Sequence, residues 1–154
     1  MIQFLKELWK ALRRSTPDKT GTATVSPDER IARFIYRKSD WSKQPTPKPK
    51  PKVFRPMFEA GQLETSVCRI SAAPEQRIWK IANRAHSPLP ALARADLTAN
   101  SVKTAGLRID SAPDFEADYP EHAVIIGWPD AKDKQMALSI QLASVADLVL
   151  APIS

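Results

Sequence analysis

The residues best equipped for chemistry are His122 and three arginines, Arg55, Arg69 and Arg94. A histidine exchanges a proton near neutral pH, and an arginine fork grips phosphate oxygens. His122 with Arg69 would therefore be the catalytic pair of a small enzyme acting on a phosphodiester or a nucleotide, with Arg55 and Arg94 as phosphate-binding groups. The ordinary alternative is that a histidine beside a strand is a partly buried structural residue, while a strand arginine reaches out to a surface carboxylate. Both alternatives stand on the sequence.

Other chemical signatures are missing. The chain has four glycines, widely separated, so no loop is rich enough in glycine to cradle a phosphate. Two histidines and one cysteine lack the spacing of a zinc site, and no serine stands in a nucleophile elbow. Asp110, Asp114, Glu116, Asp118 and Glu121 are irregularly spaced between prolines and read as a solvated acidic loop rather than a cation site. That loop would also attract the basic front of the chain. Cys68 lies in a β-favouring run and reads as a small core residue. No cofactor and no metal are expected.

Charge separates the chain into two parts. The net charge is +6, but residues 1–52 carry 13 lysines or arginines and five acids, a net +8, whereas residues 53–154 carry 10 and 12, a net −2. A basic front segment is drawn to nucleic acid, to an acidic protein or to an anionic membrane surface. Arg30, Arg33, Arg37, Lys38, Lys48, Lys50 and Lys52 would supply the attraction, with Tyr36 and Trp41 as stacking or anchoring groups. The leading expectation is a cytoplasmic binding or adaptor protein that engages a protein or nucleic-acid partner through a basic N-terminal arm. The small enzyme is the first alternative and a membrane-surface protein the second.

The elements expected to position these residues follow from periodicity. Ile2, Leu5, Leu8, Trp9 and Leu12 fall on one arc of a helix over residues 2–14, opposite Lys6, Lys10, Arg13 and Arg14. This stripe would dock on the chain's own domain, on another copy or partner, or on a membrane. Residues 15–26 read as a linker. Ser26, Pro27 and Glu29 have the chemistry of a helix start, which predicts a helix over residues 27–38. Residues 44–52, with proline at alternate positions, predict an extended spacer.

Residues 53–154 read as a compact α+β domain with a short internal sheet flanked by helices. Strands are expected over 64–71, 91–97, 107–109 and 123–128, with a helix over 73–84 and a last strand at 148–150. Residues 131–146 predict a helix apolar on nearly every side, which would be buried or form an oligomer interface. No run approaches the roughly 20 apolar residues of a membrane span, and the lone cysteine asks for no oxidising compartment.

Overall fold

A computed structural model describes residues 24–43, 45–85 and 89–153. The expected helix 2–14 and nearly all of linker 15–26 lie outside the described residues. The rest is an α+β fold of helices and antiparallel strands. In chain order the strands are β1 (Arg30–Ile35), β2 (Trp41–Ser42), β3 (Lys48–Pro49), β4 (Met57–Glu59), β5 (Gln62–Arg69), β6 (Ala93–Thr98), β7 (Arg108–Ser111), β8 (His122–Ile126) and β9 (Asp147–Leu150). The helices are α1 (Glu75–Ala85), α2 (Ala99–Thr104) and α3 (Lys132–Val145). The main sheet runs β7-β8-β5-β1-β6-β9, and β4 adds to β5 as a hairpin.

Alternation along the strands divides the side chains between two faces. One face gathers Ile31, Ile35, Val67, Ala95, Ala123 and Ile125 beneath Val102 of α2 and Leu142 and Ala143 of α3. On the other, Ile78 and Ile81 of α1 pack on Ala32, Cys68 and Ile70, while Trp79 and Ala82 pack near Phe34, Tyr36 and Val149. We call these the α3 face and the α1 face. Among the described residues no helix is long and apolar enough to cross a membrane.

The expected helix 27–38 is instead a turn followed by β1. The start chemistry forms in miniature: Ser26 N–H donates to the Glu29 carboxylate at 3.3 Å, and Glu29 N–H to Ser26 O at 3.0 Å. The next residues then extend, because Arg30–Ile35 pair residue for residue with β6 and Ile31 and Ala32 pair with Arg69 and Cys68 of β5. Burial between two strands outweighs the weak local preference for a helix. With β1 inside the sheet, residues 24–52 belong to the same folded body as residues 53–153, and the expected boundary at residue 52 is not observed.

The proline-rich stretch is also tied down rather than extended away. Lys48 and Pro49 pair with Ser42 and Trp41, and Lys50 N–H donates to Asp40 O at 2.8 Å. Proline fits here because a two-residue edge pairing asks little of its missing N–H. A 3-10 turn, Pro51–Phe54, then drives Val53 and Phe54 into the α3-face core, where Phe54 is fully buried. Burying such a side chain contributes about 2–3 kcal/mol.

Helix α3 is not buried on every side within the chain. It buries Ser139, Leu142 and Ala143 but leaves Ile140 and Val145 about half exposed, so it is covered on one side only. The six residues of α2, capped by Thr98 Oγ1 accepting from Ser101 N–H at 3.2 Å, occupy a stretch that the sequence marks only as polar.

Candidate binding surface

The catalytic candidates are not brought together. Cys68 opposes His122 in the β5–β8 register, so His122 shares the α1 face with Cys68, whereas the next residue, Arg69, turns to the α3 face. Arg69 is held by Glu29, Nε to Oε1 at 2.6 Å and Nη2 to Oε2 at 3.0 Å, and also reaches Ser111 Oγ and Thr24 O. His122 donates from Nδ1 to Ala112 O at 2.8 Å and lies 5.1 Å from the Tyr119 ring.

Arg94 stands three strands away from His122 in the sheet order, roughly 14 Å across at ordinary strand spacing. Its guanidinium is buried and fully engaged: Nε meets Asp96 at 2.9 Å, the two Nη atoms grip the Glu75 carboxylate at 2.8 Å each, and Cζ lies 5.2 Å above the Trp79 ring. Hydrogen bonds from Arg94 hold the Glu75 carboxyl below its ordinary pKa, and those to Glu75 raise that of Arg94. Asp96 moves the other way, raised by burial despite the attraction of Arg94 and Arg30. Arg94 thus ties β6 to α1 and presents no open fork to a phosphate. Arg55 is exposed, away from this network.

The acidic loop is answered from within. Arg77 grips Glu121 at 2.6 and 3.1 Å, and Arg84 meets the Asp118 carboxylate at 3.2 Å and its carbonyl oxygen. Two carboxylates of this loop, Asp118 and Glu121, are thus engaged by arginines of α1. Among the described residues no group of three or more His, Cys, Asp or Glu is gathered as a metal site. Burial pushes the Cys68 thiol up to about 12, which leaves it a core group without thiolate character.

The expected binding residues fall into two sets. Arg30 pairs with Asp96 at 3.5 Å and Asp147 at 3.8 Å. Arg33 fills the gap where β1 parts from β5, donating Nη1 to Ser66 O at 2.9 Å and Nε to Val53 O at 3.2 Å. Burial lowers its pKa, while Tyr36, Tyr119, Glu59 and Asp40 act in the opposite direction. Tyr36 donates its hydroxyl to Ala82 O at 2.8 Å, and burial raises its pKa to about 12. Trp41 packs on the α3-face core. Lys48 Nζ donates to Ala146 O at 3.0 Å, at the C-terminus of α3 where a cation complements the helix dipole. These side chains hold the fold together.

The second set faces solvent. Arg37, Lys38, Lys50 and Lys52 are exposed along one excursion of the chain between β1 and β4, together with Lys43, which was not among the expected residues, and Arg55, expected instead as a phosphate-binding group. Of the cations in residues 37–55, only Lys52 has a carboxylate partner among the described residues, Asp40 at 2.9 Å. This excursion leads directly into the β4–β5 hairpin, whose two-residue turn has positive φ at both Ala60 (52°) and Gly61 (83°), as a type I′ turn requires.

The hairpin presents Met57 and Phe58, 62% and 72% exposed, immediately beyond Arg55. Sequence reasoning passed over both. The available signal was two large apolar residues shortly before a Gly-containing turn, in a run too short to show strand periodicity. Comparison with protein-family models, with curated proteins and with solved structures finds no match to this chain.

Proposed function

We propose that the chain is a binding protein whose basic excursion, residues 37–55, and the following hairpin dock on an acidic surface of a protein partner. The observation that carries this reading is the placement of two exposed apolar side chains, Met57 and Phe58, next to a run of exposed cations with one internal carboxylate partner. Apolar anchors ringed by charge are what protein interfaces are made of: the anchors supply affinity and the charges steer the approach. A nucleic-acid strand is the weaker fit, because Tyr36 and Trp41, the aromatics expected to stack on bases, are engaged with the fold instead.

Fluorescence anisotropy of the full chain against two labelled probes tests this. The probes are an acidic peptide containing leucine and phenylalanine, and a single-stranded DNA oligonucleotide of matched charge. The peptide is expected to bind more tightly at physiological salt. Phe58→Ala is expected to weaken peptide binding at constant salt, and Lys50→Glu with Arg55→Glu to abolish it. Tighter binding of the oligonucleotide, indifferent to Phe58, would overturn the reading in favour of a nucleic-acid partner.

A further inference from the structure

The path of the main sheet ends at β7 on one side and at β9 on the other, and the two strands differ in chemistry. Strand β7 carries Arg108 and Asp110, with side chains 72% and 54% exposed, and such charges discourage pairing with a further strand. From Leu148 to Ile153 the chain around β9 carries no charge, and Asp147, the first residue of the strand, already meets Arg30 at 3.8 Å. Leu150 is 58% exposed. The hydrogen-bond phase of β9 shows what its edge offers. Ala151 N–H donates to Leu92 O at 2.9 Å, and in the same register Val149 and Asp147 face Arg94 and Asp96. Ladder bonds alternate along an antiparallel strand, so these residues turn their backbone groups towards β6, while Leu148 and Leu150 turn theirs outward. Among the described residues no hydrogen bond reaches those outward groups.

We infer that β9 pairs antiparallel with β9 of a second copy of this chain, about a two-fold axis at Val149, so that one sheet runs through both molecules. The ends of the strand select this register. Ala146 O belongs to the same outward series but already accepts from the Lys48 ammonium at 3.0 Å, and Pro152, two residues beyond Leu150, has no N–H to give. With Val149 on the axis, Leu148 of each copy faces Leu150 of the other, and every outward N–H and C=O of these leucines finds a partner. A shift of the pairing by two residues in one direction brings Leu150 N–H to the occupied Ala146 O; in the other it sets Leu148 O against Pro152. Charge agrees as well, because Asp147 then faces Ala151 and no acid opposes an acid. Leu148 and Leu150 stand opposite Ala95 and Ala93 on the α3 face, so the pairing joins the leucines of both copies into one apolar row there. Each copy uses the same edge, and assembly therefore closes at two.

Sedimentation equilibrium of the full chain tests the inference. The expected result is a mass of two chains that falls to that of one on dilution. Leu150→Pro removes an outward N–H and spares the bonds to β6, so it should weaken association roughly tenfold or more with little change in melting temperature. Leu150→Lys leaves the backbone as it is and should act in the same direction by placing a charge in the seam. Mild oxidation reads the register. Val149→Cys brings two thiols together on Cα atoms roughly 4.5 Å apart and should give a disulfide-linked dimer. In Asp147→Cys the two positions stand roughly 14 Å apart along the strands and should stay unlinked. Cys68 is buried and takes no part. A mass of one chain at concentrations up to about 1 mM would overturn the inference. So would a dimer that both Leu150 variants leave intact, or one that oxidation links through Asp147→Cys instead of Val149→Cys.

Discussion

Arg33 Nη1 donates to the backbone carbonyl of Ser66 at 2.9 Å, across the opening where β1 has left β5 and before β4 takes up the same edge. A side chain does there what a strand does elsewhere. It satisfies a ladder carbonyl that would otherwise be buried without a donor. Thr65 contributes a second stitch, its hydroxyl donating to Phe54 O at 2.9 Å.

Arg33→Leu keeps the apolar stem but strands the carbonyls of Ser66 and Val53. Leaving buried acceptors unsatisfied costs about 1–3 kcal/mol. Urea denaturation is expected to show a lower midpoint with an unchanged slope. Arg33→Lys should fall between the two, since an ammonium cannot reproduce the planar fork.

Glu75 gives the fold an acid-sensitive anchor. Its carboxyl has a folded-state pKa below the ordinary 4.5, chiefly through hydrogen bonding to Arg94. The unfolded chain therefore binds more protons in that window, and the contribution, full above 4.5, is lost as pH falls through the folded value. Asp96, raised by burial, has the opposite sign: protonation below its folded pKa favours the native state. Stability measured against pH should thus fall less steeply on the acid side in Glu75→Gln than in the parent protein. An identical acid limb in both would contradict this account.

Cys68 tests the tightness of the layer between α1 and the sheet. With no exposure and its thiol pushed up to about 12 by burial, it should react with an aromatic disulfide reagent only when the sheet opens. The labelling rate is expected to rise with urea in step with global unfolding. Rapid modification of the native protein would mean that α1 detaches on its own.

Lys48 and Lys50 separate fold from function although two residues apart. Lys48→Met removes the cation from the last carbonyls of α3 and should lower stability by about 0.5–1 kcal/mol. Its effect on binding the acidic peptide is expected to be small. Lys50→Glu should do the reverse, with an unchanged melting temperature and weaker binding that follows ionic strength.

The extent to which the fold is legible in the sequence differs by element. The strands around Val67 and Ile125 and the helix around Ile78 are continuous apolar or strongly periodic runs, and each lies close to its expected position. Strand β1 is missed because Ser26, Pro27 and Glu29 serve a turn as well as a helix, and Ile31, Phe34 and Ile35 suit either period; only pairing with β5 and β6 decides. Likewise the sequence marks residues 30–52 as basic but does not reveal which cations are engaged. That Arg33 meets carbonyls, Arg30 meets Asp96 and Lys48 meets the end of α3 depends on partners 20 to 98 positions away. The exposed Met57 and Phe58 follow from a hairpin of three-residue reach, below the length at which alternation can be read.

The place of β1 also shapes how the molecule comes into being. It is the earliest strand of the sheet to leave the ribosome, yet its two neighbours, β5 and β6, are completed only at Arg69 and Thr98. Until then its backbone donors and acceptors have no ladder, and a nascent chain must keep Ile31 and Ile35 from straying into wrong pairings. Assembly is thus governed by contacts distant in sequence, a pattern that slows folding and prolongs the exposure of apolar side chains in the unfinished polypeptide.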